Sequence, residues 1–230
     1  MKFVTNKPAL IYNKTLIIGD LHIDRGSQLL GKIFIKKIAK DINSIYQKNN
    51  CNKLFILGDV KDEILSVPSC IYTFFDELDI SSVSIVKGNH DGGIDKLCNE
   101  LGYKLYPPSG CVFGKAGLMH GHSWPSKELM DQNYLVMSHL HPMLSIKNKF
   151  NISHTTPVWM TAKINKEKHT NTKLKLVVMP AFNSLLGKKI DRGSLGLSPI
   201  LKNNIFKLNS LYIYGLNGIL IGKLIDFLEG

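Results

Sequence analysis

Five short segments of the sequence carry residues that can bind metal ions, and each segment opens with a short apolar run. The candidate ligands are Asp20, His22, Asp59, Asn89, His120, His139 and His141. Carboxylate, imidazole and amide oxygen together suit a divalent cation of intermediate to hard character, such as manganese, iron or zinc. No cysteine belongs to the set, which argues against a purely structural zinc site.

The number of candidate ligands indicates a type of chemistry. Seven ligands are too many for one tetrahedral ion, but they fit two ions that share a bridging ligand. Two metal ions about 3.5–4 Å apart form a clamp suited to in-line displacement at phosphorus. Two divalent cations also outweigh the charges of Asp20 and Asp59, so such a site would attract a phosphate anion.

The two last candidates, His139 and His141, close the apolar run Tyr134–Met137. Alternate side chains of an extended chain point to the same face. From one strand end, the two imidazoles can therefore reach adjacent metal ions. Pro142 then stops the extended pairing, because proline has no backbone N–H to donate.

The apolar runs predict strands that position these ligands, and helices lie between the early strands. The expected strands are Leu16–Ile18, Leu54–Leu57, Val83–Val86, Ala116–Met119 and Tyr134–Met137. Helices are expected over 28–47, 66–78 and 92–101, the first from Leu30, Phe34, Ile38, Ile42 and Ile45 at helical spacing. Alternating strands and helices indicate a βαβ start with parallel strands, whose carboxyl ends form a common site.

The pattern changes after about residue 107, where glycine, proline and β-branched residues dominate. Further strands are expected over Pro157–Lys163 and Leu174–Met179, with a hairpin turning at Leu216–Gly218. This half predicts a more antiparallel sheet packed on the first. We therefore expect one α/β domain over residues 1–230, a βαβ-type start leading into a two-sheet sandwich with mixed sheets and peripheral helices.

Composition indicates a soluble globular protein. The chain has 230 residues, of which 44% are hydrophobic and 20% charged. It has no apolar run long enough to span a bilayer and no signal-peptide pattern at its start, so we expect a cytoplasmic protein without a membrane partner.

The four cysteines form no CxxC pair and are expected to be reduced and mostly buried. The tetrapeptide DRGS, at 24–27 and 191–194, is interpreted as two turns.

The net charge is positive, with 29 lysines and arginines against 18 acidic residues, a balance of +11. Such a field attracts anions, and nucleic acid and phosphorylated metabolites are common ones. The lysines are scattered, however, so the excess equally fits the general composition of a lysine-rich proteome. The dense basic segment at 147–150 fits either a binding flank or a solvated loop.

All five segments together resemble the motifs of the calcineurin-like metallophosphoesterase superfamily. In order, the sequence reads Asp20-Leu-His22, Gly58-Asp59-Val-Lys-Asp62, Gly88-Asn89-His90-Asp91, His120-Gly-His122 and His139-Leu-His141. Any one block would be weak, but the ordered set is highly specific. Two further phrases, HGHSWPS from His120 and VVMPAFNSLLG from Val177, are similar to SbcD-related archaeal phosphoesterases.

The resemblance implies a role for each candidate ligand. The first metal ion would be held by Asp20, His22, Asp59 and His141. The second would share Asp59 and be completed by Asn89, His120 and His139. The family uses one histidine at the HGH block, and we prefer His120, which directly follows the apolar run, over His122.

The resemblance also implies a catalytic apparatus. His90 would be the general acid that protonates the leaving oxygen, with Asp62 as the carboxylate that orients its ring and Asp91 as the competing partner. The nucleophile would be a hydroxide that bridges the two metal ions. Manganese is the expected metal, with iron and zinc as alternatives.

The function implied is a two-metal phosphoesterase that hydrolyses phosphodiester bonds in nucleic acid or nucleotides. One alternative is a phosphomonoesterase for small phosphorylated metabolites. Another is a non-catalytic scaffold that binds nucleic acid. The expected partner is a phosphate-ester substrate, and a homodimer is one open alternative for the oligomeric state.

Overall fold

The structure is a computed structural model and describes residues 1–147, 150 and 152–228. Strands β1–β6 are Lys2–Phe3, Leu10–Tyr12, Thr15–Ile18, Lys53–Ile56, Val83–Val86 and Lys104–Tyr106. Strands β7–β15 are Cys111–Phe113, Ala116–Met119, Tyr134–Met137, Pro142–Lys147, Ser153–Lys163, Lys175–Val178, Lys188–Lys189, Tyr212–Gly215 and Leu220–Lys223. Helices α1–α7 are Ile23–Lys48, Ser69–Asp76, Ile94–Glu100, Lys127–Met130, Arg192–Leu195, Pro199–Lys202 and Ile225–Leu228.

The first sheet contains β1 to β6 in sequence order. Strands β3, β4, β5 and β6 are parallel neighbours, and helices α1, α2 and α3 make the crossovers between them. The predicted βαβ start is confirmed. Because β3, β4 and β5 are parallel, their carboxyl ends lie at one edge of this sheet, which is where the first three predicted ligand segments begin.

The second sheet is mixed, in the order β13-β10-β11-β12-β9-β8-β7, with β14 paired to β11 and β15 to β14. As expected, it is more antiparallel than the first: among the described strands, five of its eight pairs are antiparallel, against two of five in the first sheet. Within it, however, β8, β9 and β12 are parallel neighbours. The long segment between β9 and β12, which includes the antiparallel pair β10–β11, provides the crossover that a parallel pair requires. Because β8 and β9 are themselves a parallel pair, their carboxyl ends lie side by side.

A hydrophobic core fills the space between the two sheets. Phe55 and Leu57 of the first sheet region belong to the same buried cluster as Val136, Trp159 and Val177 of the second. Helices α1, α2 and α3 cover the outer face of the first sheet, and the segments that follow β12 cover the second. The expected two-sheet α/β sandwich with mixed sheets and peripheral helices is confirmed.

Helix α1 differs from its expected pattern at its start. Phe34, Ile38, Ile42 and Ile45 are buried as the helical spacing predicts, but Leu30 is 54% exposed. The cause is a break in the helix at Gly31, whose φ of 62° and ψ of −154° are not helical. The break changes the direction of the first turns, so Leu30 does not continue the buried stripe.

Four further predictions concern the cysteines, the two DRGS segments, the basic segment and the lack of a membrane span. Cys51, Cys98 and Cys111 are buried, Cys70 is half-buried, and all four are free thiols. The two DRGS segments begin helices and are not isolated turns; at the second, Asp191 and Ser194 form a capping box. The basic segment at 147–150 lies partly outside the described residues. Among the helices of the described ranges, none is long and apolar enough to cross a membrane.

Candidate metal centre

The predicted ligands lie where five strands of the two sheets end. Asp20 follows β3, Asp59 follows β4 and Asn89 follows β5, while His120 and His139 follow β8 and β9. The two sheets are joined at this edge, since the backbone N–H of His139 donates to the Asp20 carboxylate at 3.0 Å. The structure therefore brings together residues that are up to 121 positions apart in the chain, as from Asp20 to His141.

The first group of ligand-type side chains contains Asp20, His22, Asp59 and His141, with one donor atom from each within 4.8 Å of the others. His141 Nε2 lies 3.3 Å from Asp20 Oδ1, and His22 Nε2 lies 3.4 Å from Asp59 Oδ2. Both nitrogens are buried and have no hydrogen-bond partner. Buried polar atoms are normally satisfied, so these two call for a partner such as a cation.

The second group contains Asp59, His120 and His139. His120 Nε2 lies 3.3 Å from Asp59 Oδ2, 3.1 Å from Asn89 Oδ1 and 3.1 Å from His139 Nδ1. These donor atoms converge on one point. The amide oxygen comes from Asn89, an exposed residue at the edge of the group. Asp59 is thus common to both groups.

Hydrogen bonds at Nδ1 orient two of the imidazoles so that Nε2 faces the groups. His120 Nδ1 donates to the Leu57 carbonyl at 2.8 Å, and the Ser138 hydroxyl lies 3.0 Å away from the same nitrogen. His22 Nδ1 lies 2.8 Å from the Asp62 carboxylate. A donor bond at Nδ1 leaves Nε2 as a lone-pair ligand, which is the arrangement common at metal-bound histidines.

The electrostatics also favour a cation. Burial would raise the pKa of Asp20 and Asp59, but the imidazoles of His141 and His120 lower it below the ordinary range for both carboxyls. Burial opposes protonation of His120, yet Asp59 and Asp20 outweigh it and raise its pKa to about 9. The two buried carboxylates therefore keep their charge and attract positive charge. The donor set fits divalent metal ions.

The backbone at the predicted ligands is unusual. Asp20, His22, Asp59, His139 and His141 all have positive φ, between 39° and 72°. Residues other than glycine rarely adopt this left-handed region, at a cost of order 1 kcal/mol or more each. Residues in such conformations cluster at functional sites, where the surrounding structure holds them in place.

His122 lies beside the second group without belonging to it. Its ring centroid is 5.2 Å from that of His120 and 5.9 Å from that of His139. Burial and the neighbouring His120 lower the pKa of His122 to about 4, so this ring is neutral. Of the two histidines of the HGH block, His120 is the one whose nitrogen faces Asp59.

The predicted acid and its partners are arranged differently from the expectation. His90 Nδ1 donates to the backbone carbonyl of Asp62 at 2.7 Å, whereas the Asp62 carboxylate accepts from His22. The Asp91 carboxylate accepts backbone N–H groups of Asp59, Val60 and Gly88 at 2.8, 3.0 and 2.8 Å. Neither carboxylate is therefore the hydrogen-bond partner of the His90 ring. Asp91 instead holds together two ligand-bearing loops.

His90 lies next to the first group, with its ring centroid 5.1 Å from that of His22. His22, Asp62 and His90 also form a third set of ligand-type atoms within 4.8 Å. In this set the His22 and Asp62 side chains are already bonded to each other. With Nδ1 donating to a carbonyl, the other nitrogen of His90 remains available to a bound molecule.

Sequence reasoning missed residues that support the ligands from behind. Ser138 Oγ lies against His120, and Asn183 Nδ2 donates to the Leu21 carbonyl at 2.9 Å. Two charged residues, Asp24 and Lys61, are buried beside the site. Asn183 lies within the phrase from Val177 that resembles phosphoesterases. Ser138 lies between the apolar run that ends at Met137 and the ligand residue His139. Lys61 and Asp24 gave no such signal, because charged residues are usually exposed.

Gly58 offers a test of the second group, because it has a φ of 78° and lies against His120. A Cβ at this position would stand 2.5 Å from His120 Nδ1 and 2.8 Å from the Gly88 Cα. We expect Gly58→Ala to displace the imidazole, to lower the melting temperature by roughly 5–10 °C and to weaken Mn²⁺ binding roughly tenfold. Thermal unfolding and calorimetric titration with Mn²⁺ measure both effects.

The matched control is Gly218→Ala. Gly218 also has a left-handed φ, of 83°, but a Cβ there meets nothing within 4 Å. Alanine at position 218 therefore has the strain of a left-handed backbone but no steric clash with a neighbouring side chain. Equal stability loss in the two variants, together with unchanged Mn²⁺ affinity in Gly58→Ala, would contradict the placement of His120 in a metal-binding group.

Comparisons with known proteins identify a family and a solved structure of similar fold. A family model described as calcineurin-like phosphoesterase matches residues 14–204. No curated protein matches the sequence significantly. The nuclease MPE from Pseudomonas putida has a similar fold, with a TM-score of 0.58 and 15% identity over 91% of this chain and 89% of that chain. The phosphoesterase Yfce from E. coli has a TM-score of 0.39 and 20% identity over 62% of this chain and 81% of its own.

Proposed function

The chain belongs to the calcineurin-like phosphoesterase family, and we propose that it hydrolyses phosphodiester bonds with the help of two divalent metal ions. Family membership makes it a hydrolase that acts on phosphate esters. The type of ester, the number of ions and the roles of individual residues are the substance of the proposal. We also propose that residues 1–230 act as one domain.

The position of Asp59 is the main observation that supports the proposal. Its Oδ2 lies 3.4 Å from His22 Nε2 of the first group and 3.3 Å from His120 Nε2 of the second. One carboxylate thus stands between two sets of ligands. That is the arrangement that two ions with a shared ligand require.

The first ion would be held by Asp20, His22, Asp59 and His141, and the second by Asp59, Asn89, His120 and His139. When bound, such ions polarise phosphoryl oxygens and supply a nucleophile by lowering the pKa of water. The protein residues position and orient the ligand atoms. Left-handed backbone at five of these residues fixes their donor atoms. Hydrogen bonds at Nδ1 orient His120 and His22 with Nε2 toward the ions, whose binding would displace any proton from that nitrogen.

His90 would transfer the proton. The Asp62 carbonyl accepts from its Nδ1, so Nε2 is the nitrogen that faces a bound molecule. To act as an acid the ring would be the imidazolium, which gives up its Nε2 proton and keeps the Nδ1 proton on the carbonyl. An imidazole is suited to protonating a leaving oxygen near neutral pH. In this arrangement His90 acts next to the first group, while its own backbone N–H donates to Asp59 at 3.0 Å.

The substrate class is proposed from charge and from sequence phrases. A net charge of +11 favours a polyanionic substrate such as nucleic acid or a nucleotide. The phrases at His120–Ser126 and Val177–Gly187 support membership of the SbcD-related branch. We propose manganese as the metal, because mixed carboxylate, amide and imidazole ligands suit it.

A metal-replacement experiment tests the proposal. Protein stripped with EDTA should be inactive, and Mn²⁺ should restore hydrolysis with two ions bound per chain. We expect bis(4-nitrophenyl) phosphate to be cleaved at least about tenfold faster than 4-nitrophenyl phosphate, because the site would be suited to a diester. Single-stranded and double-stranded oligonucleotides form the third and fourth arms, with iron and zinc as alternative metals.

The matched control for bound metal is His154→Ala, since His154 is an exposed histidine of β11. It should leave the stoichiometry and the rates unchanged. Faster cleavage of the monoester would replace the proposal by a phosphomonoesterase. Absence of hydrolysis with every metal and substrate would refute it.

A further inference from the structure

A buried lysine connects two loops of the candidate site. Lys61 is 0% exposed, and lysine is among the residues least often buried. Its ammonium group donates to the carbonyls of Glu63, of Ile64 at 3.2 Å and of His90 at 2.6 Å. All three donors of the side chain are thus used on backbone oxygens. Two of these oxygens belong to the loop after Asp62, and one belongs to the predicted acid.

A buried carboxylate holds the same loop from the opposite side. Asp24, 2% exposed in the first turn of α1, accepts the backbone N–H of Asp62 at 2.6 Å and that of Glu63 at 2.8 Å. Each carboxylate oxygen takes one N–H. Hydrogen bonds to an ionised group are shorter and stronger than neutral ones, so this clamp fixes the peptide between Asp62 and its neighbour.

The clamped loop provides the hydrogen-bond partner of the His90 ring. The Asp62 carbonyl accepts from His90 Nδ1 at 2.7 Å. Lys61 meanwhile holds the main-chain carbonyl of His90 itself. The ring is therefore fixed relative to the loop at two points. Movement of the loop would release Nδ1 and allow the proton to change nitrogen.

We infer that Lys61 and Asp24 are positioning residues for proton transfer by His90. They hold the Asp62 carbonyl that binds the Nδ1 proton of His90, so that Nε2 faces the leaving group and the imidazolium donates its second proton from that nitrogen. The inference rests on the proposed function for the role of His90. It goes beyond that function because neither residue belongs to the ligand groups or to the proposed acid.

The kinetic test uses Lys61→Met, which keeps most of the length of the side chain and removes its donors, and Asp24→Asn. Cleavage of a thymidine dinucleotide expels a sugar alkoxide and needs an acid, whereas bis(4-nitrophenyl) phosphate releases a stable phenolate. We expect each variant to lose roughly 10- to 100-fold in kcat on the dinucleotide, the usual effect of a supporting residue. On the nitrophenyl ester we expect a loss of about threefold at most, because little protonation is needed.

Two variants outside these loops provide matched controls. Lys7→Met removes a surface lysine whose partner is Asp41, and Asp191→Asn removes a carboxylate that accepts the Ser194 backbone N–H. Both should leave the two rates unchanged. Bound metal should stay at the wild-type level in all four variants. A purely structural defect would lower both substrates equally, and that result would overturn the inference.

A second readout does not depend on activity. Long-range ¹H–¹⁵N NMR of the metal-free protein, with the His90 signal assigned by its loss in His90→Ala, distinguishes the two neutral tautomers. We expect one tautomer, with the proton on Nδ1, in the metal-free wild type, and a mixture in Lys61→Met and Asp24→Asn. An unchanged tautomer in both variants would overturn the inference. If the wild type cleaves neither substrate, the proposed function fails, and the NMR result alone decides whether the two residues position His90.

Discussion

Asp59→Asn is expected to abolish the binding of both metal ions and to lower kcat/KM for a phosphodiester by about 1,000-fold or more. Loss of a residue that only orients a metal ligand costs roughly 10- to 100-fold in affinity or activity, and Asp59 would contact both ions directly. The losses at the two ions therefore multiply. Asparagine keeps the shape of the side chain and removes its charge, which isolates the electrostatic contribution of Asp59.

Thermal unfolding provides an independent measurement of the same loss. A ligand at 100 times its dissociation constant stabilises the native state by about 2.7 kcal/mol per site. For a chain of this size, that corresponds to roughly 5–10 °C per ion. Wild-type protein should show this rise when Mn²⁺ is added, while Asp59→Asn should show almost none.

The matched control is Asp41→Asn on helix α1, where the carboxylate contacts Lys7 at 3.2 Å and is partly exposed. It should bind both ions, respond to Mn²⁺ and keep full activity. Wild-type metal content in Asp59→Asn, with activity retained, would contradict a shared ligand and with it the two-ion arrangement.

The strand ends of the site could be predicted from sequence because their signals are local. Short apolar runs followed by ligand-type residues are visible without any knowledge of the tertiary structure. The strand over Val83–Val86 and the strands before His120 and His139 have the predicted bounds. Parallel pairing then places their carboxyl ends together, which is a general property of such sheets.

The local backbone of the site was not predictable. Asp20, Asp59 and His139 adopt left-handed conformations that no residue type among them signals, since aspartate and histidine only tolerate this region. The parallel arrangement of β8, β9 and β12 was equally hidden. A sheet partner that is distant in sequence leaves no periodic pattern, so the sequence predicted the larger antiparallel share of the second sheet but not its parallel pairs.

The partner of His90 shows a different limit of sequence reasoning. The motif identified Asp62 as a neighbour of the acid, and the structure places it there. The contact is made by its carbonyl, because its carboxylate is already bonded to His22 Nδ1. A sequence names the residue but not the atom. The buried Lys61 and Asp24 could be identified only once the loop they hold was seen.

Two sets of residues therefore have different roles in the site. The strand ends supply ligand atoms, while buried polar residues behind them fix the orientation of each ring. Ser138 and the Leu57 carbonyl lie behind His120, and the Asp62 loop lies behind His90. Such support keeps catalytic groups within a fraction of an ångström of their working geometry, which is what proximity and orientation require. Metal binding and proton transfer should therefore be separable by mutation.

His90→Ala tests that separation. We expect the variant to retain both ions, because the His90 ring belongs to neither of the two groups that share Asp59. Its kcat on the thymidine dinucleotide, whose leaving group needs an acid, should fall by roughly 100- to 10,000-fold, the usual contribution of a general acid. Metal analysis and steady-state kinetics in Mn²⁺ measure the two quantities on the same preparation.

Added imidazole distinguishes a lost proton donor from a distorted site. Removal of the ring leaves a space beside His22, where free imidazole can bind and donate in its place. We expect it to restore part of the activity of His90→Ala and to have no effect on Asp59→Asn, because imidazole cannot replace a carboxylate between two ions. His154→Ala serves again as the control for loss of an exposed histidine. Loss of metal from His90→Ala, without rescue, would instead make His90 a ligand, and the group formed by His22, Asp62 and His90 would then be a metal site in its own right.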